Sequence, residues 1–298
     1  MLIARLIADP ETLGDNLARA MELIEDAGFE VAGAGMLDFS DSVVEIEVID
    51  GEQPADRAKV RTILDHCFPA CDMLISDRII ETPRLFVSDM DSTMIAAECI
   101  DELADFAGLK ARIADITERA MQGELDFESA LRERVGLLAG LSQGAIDQCL
   151  DERIAAMPGA RTLVATLKSR GCHTVLVTGG FHSFADPVAA ELGFERVVGN
   201  RLEIVDGKLT GKLEGGIVDS GVKKAVLLEE TARLGPATVS LATGDGANDI
   251  PMIEAATFGI AYYAKPKARA AADGRIDRGD LTAILELFGI PQEDWVID

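Results

Sequence analysis

The sequence predicts an α/β protein: a parallel β-sheet core that carries a long helical insertion and is preceded by a small βαββαβ unit. Three observations point there. Apolar strand-like runs alternate with helical stretches from residue 85 onward. Acidic or glycine-rich clusters stand directly behind three of those runs, at residues 89–93, 178–181 and 244–249. The first 80 residues instead switch between period-2 and period-3.6 patterns in six short segments.

Within that first unit, residues 2–8 read as a strand, and Leu13, Leu17, Ala20, Ile24 and Ala27 then recur at helical spacing until Gly28 supplies a stop. Residues 30–39 and 42–49 are strand-like on either side of the Ser40-Asp41-Ser42 turn. Val60, Ile63, Leu64 and Cys67 share one helical face within 55–67, and 72–79 reads as a last strand. This order is ferredoxin-like, an α+β arrangement, and residues 1–80 resemble an ACT-type module, a small domain that often senses amino acids in metabolic enzymes. A ligand-free packing unit, or one that joins two copies as a homodimer, is the alternative, because a fold alone does not establish binding. Residues 81–84, Glu81-Thr82-Pro83-Arg84, read as the linker to a second domain, 85–298.

That domain opens with the apolar strand LFVS, followed by a stretch over 97–155 that is helical and without strand signals. A helix over 159–170 and a strand over 174–178 come next, and strands over 237–243 and 258–264 continue the alternation. Between them, Asp206-Gly207 separates two strand-like runs and marks a hairpin. Strands separated by helices join in parallel through right-handed crossovers, a Rossmann-like core whose site lies at the C-terminal strand ends.

Composition narrows the function. With 52 acidic against 28 basic residues the net charge is -24, and no basic stripe offsets it, which argues against nucleic acid and anionic lipid as partners. A small anionic substrate stays compatible, because a metal ion and a few converging cations reverse the field inside one cleft. The five cysteines are scattered and form no CxxC pair, as expected in a reducing compartment. His66, Cys67 and Cys71 lie close together but lack a fourth ligand for zinc. The N-terminal apolar run is too short for a signal peptide, and no window reaches the ~18 apolar residues of a membrane span, so a cytoplasmic protein without a membrane partner is expected.

The chemistry is concentrated at the strand ends. In Asp89-Met90-Asp91-Ser92-Thr93 an extended backbone puts Asp89 and Asp91 on one side, a nucleophile beside an acid/base, although such pairs also cap helices. Gly244-Asp245-Gly246-Ala247-Asn248-Asp249 adds carboxylates behind another strand, and one Asp from each strand end suits magnesium, which takes oxygen ligands and keeps several waters. Thr178-Gly179-Gly180-Phe181 offers a hydroxyl and free backbone N–H groups for phosphate oxygens, and Lys223 or Lys224 offers positive charge. A dinucleotide-binding core is disfavoured, since GxGxxG does not follow the first strand.

Taken in order, DMDST, TGGF, the Lys223 region and GDGANDI resemble the motifs of the phosphoserine phosphatases of the haloacid dehalogenase-like superfamily, over most of residues 84–290. Thr178 stands where many relatives carry Ser, which retains the hydroxyl. The resemblance implies hydrolysis of O-phosphoserine, the last step of serine biosynthesis, with Asp89 as nucleophile, Asp91 as general acid/base and Lys223, rather than Lys224, on the phosphoryl oxygens. It implies magnesium on Asp89, Asp245 and the main-chain carbonyl of Asp91, with Asn248 and Asp249 ordering the surroundings. It also makes 97–155 a helical cap, in which ECIDELA would bring Glu98 to the substrate ammonium and DFESALRERV would bring Phe127 to the substrate and Arg134 to its carboxylate. A phosphatase for another small ester and an inactive amino-acid-responsive regulator are the competing expectations.

Overall fold

Local sequence sets the first elements of the protein, seen here in a computed structural model that describes residues 1–69, 71–121 and 124–297. Positions 122 and 123 of the expected helical stretch, residue 70 of the expected N-terminal unit and residue 298 lie outside the described residues. Strand β1 (Leu2–Ile7) leads to helix α1 (Pro10–Asp26), where Asp9 accepts a hydrogen bond from the Glu11 amide and Leu13, Ala20 and Ile24 are buried. Strands β2 (Phe29–Met36) and β3 (Val43–Asp50) follow, then α2 (Arg57–Cys67), capped by Asp56, and β4 (Asp72–Ser76). The strands pair antiparallel in the order β2-β3-β1-β4, the ferredoxin-like order, and the helices close over a core that includes Leu6, Ile24, Ile46, Val60 and Leu64.

Beyond 84 the chain runs β5 (Leu85–Ser88), four helices α3 (Cys99–Phe106), α4 (Lys110–Met121), α5 (Phe127–Leu137) and α6 (Gln143–Arg153), then α7 (Ala160–Ser169) and β6 (His173–Phe181). It continues through α8 (His182–Leu192), the hairpin β7 (Arg196–Val205) and β8 (Lys208–Glu214), α9 (Ser220–Leu234), β9 (Ser240–Gly244) and α10 (Ile250–Ala255). Strand β10 (Phe258–Tyr262), α11 (Pro266–Ala271), β11 (Gly274–Ile276) and α12 (Ala283–Leu287) complete it, with a 3-10 turn at Gln292–Asp294. Strands β11, β10, β9, β5, β6 and β7 are parallel in that order. At the hairpin, Asp206 and Gly207 both take positive φ, 49° and 72°, as a two-residue turn that matches strand twist requires.

The differences from expectation have local causes. The 97–155 stretch is broken into four helices, with left-handed Gly108 and Gly140 at two of the breaks. Strand β4 stops at Ser76 rather than 79, and β9 starts at Ser240 rather than 237. Helix α8 and the β11–α12 segment were not anticipated. Most consequential is the pairing of β4 with β11, which fuses the two expected units into one eleven-stranded sheet. Gly274 permits it: a Cβ there would stand 2.7 Å from the Met73 carbonyl oxygen. No helix among the described residues is long and apolar enough to cross a membrane.

Candidate active site

The central strands end together, and the site grows from that alignment. Paired with β9, β5 delivers Asp89 to the sheet edge, where its amide donates to the Thr243 carbonyl at 3.0 Å. Beneath it the Thr243 hydroxyl donates to Ser88 Oγ at 2.9 Å, and the Ser88 hydroxyl donates to the Asp89 carbonyl at 2.7 Å. This buried relay holds the two strand ends in register.

Behind Asp89 lies Lys223, on the first turn of α9, with its Nζ 2.7 Å from Asp89 Oδ1 and 2.7 Å from Asp249 Oδ1. At 1 % exposure the ammonium is out of water, and its two carboxylate neighbours make that tolerable. Burial pulls the Lys223 pKa down, but Asp89 and Asp249 outweigh it and the net shift is upward. Lys224, one residue on, is exposed. Asp249 also accepts from the Gly246 amide at 3.0 Å, and Gly244 leaves it room, since a Cβ at 244 would overlap the Asp249 carboxylate.

Carboxylate oxygens of Asp89, Asp245 and Asp249 lie within 4.8 Å of one another, the only such group of metal-ligating side chains among the described residues. His66, Cys67 and Cys71 form none. Burial, then the charge of Asp249, drives the Asp89 pKa well above the usual carboxylate range against the opposing pull of Lys223. Burial also raises Asp245, with Lys265 opposing at 3.7 Å. Three buried acids against one buried lysine leave a deficit of positive charge, and an all-oxygen donor set of this kind fits a hard divalent cation.

Asp91 sits within a tight turn in which the amides of Thr93, Met94 and Ile95 all donate to the Met90 carbonyl, at 3.2, 2.8 and 3.1 Å, with Ser92 at φ 55°. Its Oδ1 accepts from the Cys99 amide at 3.4 Å. Burial first, and the charge of Glu98 second, lift its pKa to about 7, the range of a general acid/base. Glu98 itself accepts a hydrogen bond from the Ser92 hydroxyl at 2.9 Å.

On the opposite side, Thr178 Oγ1 accepts from the Gly180 amide at 2.8 Å, which leaves its own proton for an anion. Gly180 keeps this approach close, because a Cβ there would stand 3.0 Å from Asp91 Oδ2 and push it aside. Asn200 braces the loop: its Nδ2 donates to the Gly179 carbonyl at 2.7 Å while its Oδ1 accepts from the Val218 amide at 2.9 Å.

These groups surround one cavity of about 220 Å³. Asp89, Asp91, Asp245, Asn248, Thr178, Gly179 and Gly180 border it from the strand ends, and Glu98, Phe127 and Arg134 border it from the helical stretch. Phe127 is 41 % exposed and close to Gly179, where a Cβ would lie 3.5 Å from the ring. Arg134 forms no ion pair among the described residues, and burial lowers its pKa against Asp101 and Glu98. Every residue read as a site from sequence therefore lines the cavity, except Lys223 and Asp249, which stand behind Asp89. Lys265, Ile100 and Leu131 also line it and were missed, as was the brace Asn200. Lys265 follows a strand end, a signal that could have found it; Asn200, inside a strand, carried none.

Fold and site together define a class of protein with a parallel α/β core and aspartates gathered at its strand ends. The chain belongs to the haloacid dehalogenase-like hydrolases, whose family profile matches residues 86–254. It is similar to a phosphoserine phosphatase of Streptococcus thermophilus, 46 % identical over 209 residues that make up 70 % of this chain and 97 % of that protein. Phosphoserine phosphatase SerB2 of Mycobacterium tuberculosis is 45 % identical over 210 residues, 70 % of this chain but 51 % of that protein, so the chain spans about half the length of that relative. A solved hydrolase of the same family from Salmonella enterica serovar Typhi covers 98 % of this chain and 99 % of its own, at 29 % identity and TM-score 0.82.

Proposed function

We propose that this protein hydrolyses O-phosphoserine to serine and inorganic phosphate through an aspartyl-phosphate, with magnesium as its metal. The observation that carries the reading is a single cavity with Asp89 and its neighbouring aspartates on the strand-end side and, facing them from the helical stretch, one carboxylate, Glu98, and one guanidinium, Arg134. A zwitterionic amino acid presents the two complementary charges. The names of the relatives similar to this chain support the same substrate.

In the first step an Asp89 carboxylate oxygen attacks phosphorus, the bond from phosphorus to the serine oxygen breaks, and the Asp91 proton passes to that oxygen. In the second, Asp91 takes a proton from water, the resulting hydroxide oxygen bonds to phosphorus, and the bond to Asp89 breaks. Lys223 keeps Asp89 oriented and offsets the charge that gathers there, while the Thr178 hydroxyl, held by the Gly180 amide, and the Gly179 amide meet the phosphoryl oxygens. Asp89, Asp245 and the Asp91 carbonyl would hold magnesium, with Asp249 and Asn248 ordering them; when bound, the ion supplies Lewis-acid neutralisation of anionic oxygens.

Residues 1–80 are read as the ACT-type unit, 85–298 as the hydrolase and 97–155 as its cap, the enzyme being cytoplasmic, without nucleic acid or membrane partners, and paired through the N-terminal unit. The deciding experiment is phosphate release from phosphoserine and from ethyl phosphate, which lacks both amino-acid charges. A preference of about a hundredfold or more in kcat/KM for phosphoserine is expected. Equal values would refute the substrate.

A further inference from the structure

A second cavity, of about 750 Å³, opens between α2 and α11 and shares no lining residue with the reaction cavity. Three guanidinium groups, Arg57, Arg61 and Arg269, and one carboxylate, Asp65, line it, above a floor of small apolar side chains on α11. Arg57 is paired with Asp273, and Arg269 with Asp277 at 2.8 Å. Arg275, just behind, is paired with Asp65 at 2.5 Å and with Asp277 at 3.1 Å. Four guanidinium groups thus share three carboxylates, and the one left over is Arg61. Its Nη2 donates to the carbonyls of Ala272 at 2.7 Å and Asp273 at 3.0 Å, and among the described residues it makes no ion pair. Burial first, then the like charges of Arg57 and Arg275, lower its pKa against the opposing charges of Asp65 and Asp273. In a chain of net charge -24 this is a local reversal of sign.

We propose that this cleft binds a small organic anion, its carboxylate or phosphate group on the open edge of Arg61 with Arg57 alongside, and its short apolar body against α11. A planar guanidinium that lines a cleft and uses only one nitrogen on the backbone is matched to a two-oxygen anionic head. The occupant would lie next to the reaction cavity in sequence as well as in space: α11 begins immediately after Lys265, whose amide donates to the Asp245 carbonyl at 2.9 Å.

The test is calorimetric titration of the full chain with succinate and, separately, with inorganic phosphate. Wild type is compared with Arg61→Gln, with Thr62→Glu, and with Thr178→Val in the reaction cavity. Thr62 lines the cleft, is exposed and bonds only within its own helix, so that variant keeps the fold if Arg61→Gln does not. Saturable binding of at least one probe is expected in wild type and in Thr178→Val, weakened about tenfold or more in the two cleft variants. Binding of succinate alone assigns a carboxylate head, and of phosphate alone a phosphate head. No saturable binding in wild type, unchanged affinity in a folded cleft variant, or loss in Thr178→Val would each overturn the proposal.

Discussion

Replacing Lys223 by Met keeps the shape of the side chain and removes its charge from a place where nothing else can supply it. The ammonium lies 2.7 Å from both Asp89 and Asp249, and none of the three side chains is more than 5 % exposed. Solvent screening therefore offers no discount, and removing one partner of such a buried cluster costs about 3–5 kcal/mol. In metal-free protein Asp89, whose carboxyl burial already pushes up, then holds a proton that Lys223 opposes in wild type. Its folded pKa then stands further above the unfolded value of about 4, so the folded state binds more protons than the unfolded chain and stability falls as pH rises. One additional proton corresponds to about 1.4 kcal/mol per pH unit, so between about pH 5 and about pH 7 the deficit relative to wild type widens by about 3 kcal/mol. Urea unfolding of both proteins in chelator at the two pH values measures it. A deficit under about 1 kcal/mol at both, or the same deficit at both, would mean that Lys223 is not the counter-charge of Asp89 and Asp249.

Four further outcomes are expected. Gly180→Ala places a methyl 3.0 Å from Asp91 Oδ2 and 3.1 Å from Thr178 Oγ1, and it should lower kcat about tenfold to a hundredfold while thermal unfolding shifts little. Arg134→Gln should lower kcat/KM on phosphoserine about a hundredfold and leave ethyl phosphate nearly unchanged, and equal losses would remove its role. With Asp91 at about 7, its acid form is lost above that pH, so burst-phase serine release should slow about tenfold per unit there, a limb that Asp91→Asn erases. Stripping divalent ions with chelator should abolish phosphate release and added magnesium should restore it; full activity in chelator would count against the metal.

Legibility in the sequence tracked the reach of the interaction concerned. The ends of β5, β6 and β9 were readable because an apolar run and its polar motif are adjacent in the chain, and Asp89, Thr178 and Asp245 came with them. The breaks at Gly108 and Gly140 were written in local glycines but were overshadowed by continuous helical periodicity. Strand β11 is three residues long and is defined by its partners Ile260 and Leu74 rather than by any run of its own. Asn200 is a strand residue until the end of β6 and the segment before α9 come to rest on its amide group. The placement of Lys223 behind Asp89 is likewise tertiary: the sequence offered two adjacent lysines, and only the fold shows which one is buried.

The boundary at residues 81–84 illustrates the same rule with a physical consequence. Pattern alone reads a linker there, and the N-terminal unit does have its own core. Yet the carboxylate of Asp72, 3 % exposed, accepts from the amides of Asp277, Arg278 and Gly279 at 2.7, 2.9 and 2.8 Å. Those amides belong to the turn that leaves β11, and β11 in turn holds β10 through a parallel ladder ending beside Tyr263, whose amide donates to the Ile276 carbonyl at 2.9 Å. Two residues further on is Lys265 at the reaction cavity. A cut at the linker would strip three amides of their acceptor, at about 1–3 kcal/mol for each that water cannot reach, and would expose an edge of the hydrolase sheet. The N-terminal unit is separable in sequence, but in energy it is part of the wall on which the loops around the cavity are built.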